Sequence, residues 1–490
     1  MESILSKRDQ RKVKIIEYLI NYQQTTLKLL CEEIELPMKT VWNDIKEINR
    51  VIAPVSIDTD ANGMYLYIPP AYSIRYIYMQ LLQQSNEYNL LEYIYFNDGL
   101  NLEDVAIDFK ISVATLRRMI TYINMDLKKF DIEIKTNPLS IQGDYQNMIT
   151  IMIHLLSEKY LYEEDYLSSR QLYALNQLFT SSSLVVDKFY NYPDFKKLRL
   201  WIYVSTICFK NHQQNQEITN INPIIYDIFD FEKNIRAYKE YERVFGIELS
   251  PQSIMFIFRV FINSDYVFSY HQLMQASNTN TSVQKKVKRI TTILDRLSTT
   301  YEISLDNKED LITDIYNILS LGNDMKPYII YDKRKTFIQE LTHHHLLFYQ
   351  TSMKLIKTIF EDSIKEDRIN EMIYMIITHW KNLTMKLEEN FQAIQVCILM
   401  DTDVENVEVI TDLLRQRMIY KIKQLNPPAS NFTLLQIIKD LPDIDILITN
   451  IPGLDDLDCK VICIQDYPTS KDLAQILEAE EFVSRKYIHN

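Results

Sequence analysis

The chain has 490 residues, 47% of them apolar and 24% charged, and at about 150 residues per domain that gives room for three or more folding units. Its six glycines, at positions 63, 99, 143, 246, 322 and 453, are too far apart to form the loops that cradle phosphates, which excludes P-loop, dinucleotide-fingerprint and kinase-type nucleotide sites. A formal charge of −13 excludes a uniformly basic nucleic-acid coat, so any polyanion site has to be local.

The first twenty residues mix charges with apolar residues, and no apolar run long enough to cross a membrane occurs anywhere, so neither a signal peptide nor a membrane span is expected. The segment TLKLLCEEIELPMKTVWNDIKEIN (residues 26–49) aligns without gaps, at an offset of 75, with NLEDVAIDFKISVATLRRMITYIN (residues 101–124). Apolar character is kept at Leu27/Leu102, Leu30/Val105, Ile34/Phe109, Leu36/Ile111, Val41/Leu116, Ile45/Ile120 and Ile48/Ile123, Thr40/Thr115 and Asn49/Asn124 are identical, and small Cys31 matches Ala106. Each copy predicts a short helix, a tight turn at Glu35 to Pro37 or Lys110 to Ser112, and a longer amphipathic helix, which is a helix-turn-helix. Pro37 suits the first turn of its helix and Ser112 can cap the equivalent one. Two short alternating runs around Asn62-Gly63 follow the first copy, and a second pair around Asn137-Pro138 follows the other. Both predict β-hairpin wings.

An α-helix fits the major groove of duplex DNA, with wing and first helix resting on phosphates. At about 100° per residue, with Val41 inward, Ile45, Ile48 and Ile52 share its side while Lys39, Asn43, Lys46 and Arg50 cluster opposite. These residues, with the neighbouring Thr40, are the candidate DNA contacts of the first copy. In the second copy the face holds Ala114, Arg118, Thr121 and Met125, flanked by Arg117, so Arg117, Arg118 and Thr121 are the candidates there.

Residues 146–390 read as almost continuous helix, with the polar stretch QASNTNTS (275–282) as the clearest linker between two helical halves. The abundant tyrosines, mostly at helical spacing, read as core packing. From Phe391 the pattern alternates: strand QAIQVCILM, helix VENVEVITDLLRQRMI, strand YKIKQL, helix FTLLQIIKDL, strands DILITNI and CKVICIQ, and a last helix from about Thr469. That is a small α/β domain, and it is acidic, with 16 Asp+Glu against 9 Lys+Arg. Asp401 and Asp403 follow its first strand, where such folds place ligand chemistry, and read either as a phosphoacceptor or magnesium pair or as a helix N-cap. Five scattered cysteines without a CxxC read as reduced cytosolic thiols. None of the eight histidines has zinc spacing, and no GxSxG occurs, so neither an enzyme nor a cofactor is expected. The expected fold is mainly α and multidomain: winged helix-turn-helix units at 1–70 and 71–160, helical domains at 161–282 and 283–390, and an α/β domain at 391–490.

With two repeat copies, a helical pair and a final sheet in that order, the chain resembles the Mga/AtxA family of transcriptional regulators along nearly its whole length. The resemblance implies a cytoplasmic regulator of promoter DNA whose helical halves are PTS regulation domains, with an end similar to an EIIB component. It implies homodimerisation, or a higher homo-oligomer, through the carboxyl-terminal part, control of virulence or metabolic genes, and phosphorylation on histidine by HPr. Tyr203 stands where the first module would carry its histidine, leaving His212 and His271 as neighbouring candidates, and the second module offers His345 and His379. Cys397 lies inside the strand that an EIIB cysteine would follow. An RNA-binding antiterminator is the alternative, because PTS regulation domains also occur there.

Overall fold

The computed structural model describes residues 2–22, 24–97, 99–181, 192–212, 234–259, 267, 269–321, 328–361, 364–390, 394–417, 422–425, 444–454 and 457–488. They form two compact units, Met1–Tyr266 with Leu321–Asp332, and Val267–Ser320 with Lys333–Asn490.

The first unit begins with α1 (Lys7–Tyr22), β1 (Gln24–Thr25), α2 (Leu27–Ile34), α3 (Met38–Ile52) and the hairpin β2 (Ser56–Asp60) and β3 (Gly63–Tyr67). The Thr26 hydroxyl accepts the Leu29 N–H to start α2, and Glu35 ends it in the left-handed region at φ 56°. Pro37 is the N-cap of α3, so it sits one position before the helical turn expected to hold it. Val41, Ile45, Ile48 and Ile52 are buried along the inner face of α3, each stabilising the unit by about 1.5–3 kcal/mol.

After α4 (Ile74–Gln84), the plan repeats as α5 (Asn86–Phe96), α6 (Leu102–Asp108), α7 (Val113–Leu127), β4 (Ile132–Thr136) and β5 (Leu139–Gly143), and closes with α8 (Tyr145–Lys159). Asn101 caps α6, Lys110 turns at φ 55°, and Ser112 accepts the Thr115 N–H to cap α7. The pairing Thr25↔Met64 in the first copy returns as Leu100↔Leu139 in the second. The identical asparagines hold the wings: Asn49 takes the Ile57 N–H at 2.7 Å and donates to the Ile57 carbonyl at 3.0 Å, and Asn124 does the same to Ile134 at 2.8 and 2.9 Å.

The helices Ser169–Ser181, Tyr192–His212, Ile235–Phe245 and Pro251–Ile257 complete this unit. Tyr203 is buried and stacked on Phe96 at 5.4 Å, and burial pushes its hydroxyl up to about 12. Residues 328–332 form a strap along α8: the N–H groups of Ile329, Ile330 and Tyr331 donate to the Glu158 carboxylate at 2.6, 3.0 and 3.1 Å, and Tyr331 stacks on Tyr78 at 5.0 Å.

The second unit corrects the expected linker. Residues 275–282 belong to the helices Tyr270–Thr279 and Thr281–Tyr301, with only Asn280 between them. Asn280 accepts from the Ser282 and Val283 N–H groups, and Leu273, Val283 and Val287 enter one core with Ile312, Ile356 and Ile373. The polar residues are mostly the exposed face of a continuous helical layer. Further on, β6 (Ile394–Leu399), β7 (Ile422–Leu425), β8 (Ile446–Thr449) and β9 (Lys460–Cys463) form a parallel sheet in the order β7-β6-β8-β9. The helices Val404–Arg417 and Ser470–Ile488 accompany it, and the helix expected at FTLLQIIKDL lies outside the described residues.

Candidate nucleic-acid interface

The inner side of α3 is fixed by charge as well as by its apolar residues. Asp44, buried, accepts from Arg11 at 2.9 and 3.2 Å, and that hydrogen bond holds the guanidinium above its ordinary range. Arg8 and Lys12 pair with Glu47, and Lys12 also with Asp9. The basic start of the chain therefore serves largely to dock α1 on α3.

The outer side is different. Lys39, Asn43, Lys46 and Arg50 are all exposed, and Thr40 is half-buried with its N–H on the Pro37 carbonyl at 2.9 Å. Among the described residues, none of the three cations makes an ion pair; Lys46 lies over the Trp42 ring at 5.7 Å. On α7, Arg117, Arg118 and Thr121 are exposed. The Thr121 hydroxyl donates to the Arg117 carbonyl at 2.9 Å, and the Arg118 guanidinium lies 3.5 Å from the Thr115 hydroxyl. Each predicted set is thus gathered on one solvent-facing ridge of its own helix.

The wings depart from expectation. The first carries no cation between Arg50 and Arg75. Asp60 at its tip accepts from the Asn62 and Gly63 N–H groups and from Gln24 at 2.7, 3.1 and 3.1 Å. A carboxylate spent on turn closure repels a phosphate rather than binding it, so this wing brings no cation to the phosphate contact expected of it. The second wing carries Lys135, paired with Glu133 at 2.6 Å.

Two further residues that the sequence pattern did not single out share this exposed side: Trp42 is 42% exposed and Met38 55%. They stand one turn apart at the start of α3, and the signal available was a tryptophan about 100° from the inward direction, outside the buried arc.

The candidate histidines do not converge. His212 ends a helix and its side chain lies outside the described residues. His271 is exposed as the second residue of Tyr270–Thr279, in the second unit rather than with the first helical module. His345 is buried, 6% exposed, at the N-cap of Leu346–Ile359. His379 is exposed at the end of Glu366–His379, its Nδ1 2.8 Å from the Thr378 hydroxyl. In the sheet domain Asp403 accepts the Asn406 N–H as a helix cap, and the Asp401 N–H donates to Asn450. Cys397 is buried in β6, and burial pushes its thiol up to about 11, against any role as a thiolate nucleophile. Among the described residues, no helix is long and apolar enough to cross a membrane.

Residues 1–81 and 70–156 each match the model of the Mga helix-turn-helix domain, and residues 175–383 match that of the M protein trans-acting positive regulator (MGA) PRD domain. The chain is 22% identical over 493 residues to the anthrax toxin expression trans-acting positive regulator of Bacillus anthracis, covering 96% of this chain and 98% of that one. It is 21% identical over 505 residues to the capsule synthesis positive regulator AcpB of the same organism, with coverage of 96% and 98%. A protein of Streptococcus pneumoniae serotype 4 whose assigned name is that of a trans-acting regulator is 21% identical over 427 residues, covering 84% and 86%.

Proposed function

The chain belongs to the Mga family of trans-acting transcriptional regulators, with helix-turn-helix domains ahead of a PRD domain, and from that premise we propose that it binds duplex promoter DNA with α3 and α7 as its reading helices. The observation that carries this is the outer face of α3, where Lys39, Lys46 and Arg50 stand exposed around Asn43 with no ion pair among the described residues. Donors of these types fit guanine and adenine edges and phosphate oxygens in the major groove. Gel-shift titration of the full chain on a duplex that it selects from a randomised library tests it. The triple variant Lys39→Ala/Asn43→Ala/Lys46→Ala is expected to lose about a hundredfold or more in affinity at fixed salt with an unchanged melting temperature. Equal binding by variant and wild type removes α3 from the interface.

Two further parts of the reading concern control. His271 is the favoured phosphoacceptor, because it is exposed in the first turn of a ten-residue helix, where the dipole attracts an anion. His379 lies at the opposite, repelling end of its helix, and His345 is covered. HPr-dependent incorporation of labelled phosphate should fall in His271→Ala and persist in His379→Ala; the reverse pattern rejects the assignment. The parallel sheet with its central β6 supports an EIIB-like end, and exposed Val404, Val409, Leu477 and Phe482 on its helices support a homodimer formed there. Light scattering on Val409→Glu/Phe482→Glu should give monomer mass, and an unchanged dimer rejects this surface.

A further inference from the structure

A large apolar side chain left in water on the tip of a helix that otherwise displays cations calls for an apolar partner on an anionic molecule. Trp42 and Met38 are such a pair: they lie one turn apart, and the same stripe continues through Lys46 to Arg50. Lys46 is held over the Trp42 ring, so the indole is presented beside a positive charge on a solvent-facing ridge. The N-terminal half of a reading helix is the part that reaches base edges. The apolar feature of the major groove is the thymine C5-methyl group. Only the first copy has this arrangement, because 75 residues on Trp42 and Lys46 become Arg117 and Thr121.

We propose that Trp42, backed by Met38, is a specificity-determining residue that packs on thymine methyl groups in the major groove, while Lys46 and Arg50 take the adjacent phosphates. This rests on the reading of α3 as a DNA-contacting helix. It adds the base identity that copy one selects: thymine-rich steps under the start of α3. A second protein covering Trp42 is the competing occupant, and the charge of the surrounding face disfavours it for any but an acidic partner.

The test is selection by the full chain from a duplex library with a randomised centre, synthesised once with thymine and once with uracil, which lacks the methyl and keeps the base pair. The thymine library should yield enriched sequences with a recurrent thymine. Replacing that thymine by uracil should weaken binding about fourfold per contacted methyl, the worth of one buried methyl-sized group. Trp42→Ala should bind the selected duplex about tenfold more weakly, lose the thymine–uracil difference and keep its salt dependence, whereas Trp42→Phe should retain the difference. Trp42 is exposed, so its replacement leaves the core intact and an unchanged melting temperature confirms that.

Equal affinity for thymine and uracil duplexes, or a uracil effect that persists in Trp42→Ala, overturns the assignment while DNA binding stands. Failure to bind either library at any salt overturns the reading beneath it as well. If Trp42→Ala leaves affinity for DNA unchanged but abolishes transcriptional activation in cells, the occupant is a protein and the proposal is wrong.

Discussion

The first and second helix-turn-helix copies are built on one backbone plan and display two different surfaces. Thr26 and Asn101 cap the first helix of each, Glu35 and Lys110 turn at φ 56° and 55°, and Asn49 and Asn124 each hold a wing strand by two hydrogen bonds. Outside, Lys39, Trp42, Asn43, Lys46 and Arg50 face Ala114, Arg117, Arg118, Thr121 and Met125 at the same register. Even the inner ion pair of Arg11 with Asp44 becomes Asn86 and Met119 in the second copy. What persists are the caps, left-handed turns and wing clamps that serve backbone groups; what varies is side-chain pairing, on the outer face and, at buried Asp44, on the inner one. Under the proposed DNA-binding reading, the two copies suit different base sequences, and a chain that uses both reads a composite, asymmetric site.

The largest expected difference between the copies is electrostatic. Each phosphate neutralised by a cation adds about 0.9 to the slope of log affinity against log salt. Lys39→Ala/Lys46→Ala/Arg50→Ala should therefore lower that slope by up to about 2.7, and Arg117→Ala/Arg118→Ala by up to about 1.8. Binding isotherms on one duplex across a salt series measure both. A larger change for the second pair would reverse the ranking and make α7 the principal anchor.

The asparagine clamps should instead behave alike. Removing either amide frees one N–H and one C=O on a part-buried strand, and each orphaned group costs about 1–2 kcal/mol. Asn49→Ala and Asn124→Ala are each expected to destabilise their own wing by about 2–4 kcal/mol, seen as lost amide protection across β2–β3 or β4–β5. A marked effect in one copy alone would show that the other wing is held by something besides its clamp.

The duplication, the two turns and the hairpins were legible in the sequence because apolar periodicity and turn chemistry are local. The identity Asn49/Asn124 was visible too, but not its task, since the bonded partners Ile57 and Ile134 lie eight and ten residues away, beyond a helix end. The polar stretch 275–282 misled because solvent-facing helix residues and a linker share a composition; the cap at Asn280 and the buried Leu273 and Val283 separate them. The same helix places His271 in the second compact unit rather than in the first with Tyr203. Trp42 is less legible: it falls about 100° from the inward direction, at the margin of the buried arc, where an apolar ring fits either face and only its exposure decides.

The smallest expected effect concerns a residue that the copies do not share. Gln83 and Glu158 stand 75 residues apart near the ends of α4 and α8. Gln83 donates to the Lys159 carbonyl at 2.9 Å, whereas Glu158 receives three N–H groups from the strap, and burial pushes its carboxyl up to about 7 from an ordinary 4.5. The nearest charged residue on its own helix, Lys159, is engaged by Glu92. A carboxyl that protonates more readily in the folded chain binds more protons there between about pH 4.5 and 7. The stability it contributes is therefore greatest at the acid end of that window, falls as pH rises through it, and levels off above. Glu158→Gln places the first copy's residue in the second and removes the titration. Protection of the Ile329, Ile330 and Tyr331 amides, corrected for intrinsic exchange, should rise in the wild type relative to this variant as pH is lowered from about 8 to 5.5. Parallel profiles would mean that the carboxylate stays ionised throughout, and that its three N–H donors outweigh the burial; Tyr331 stacked on Tyr78 would then hold the strap equally at every pH.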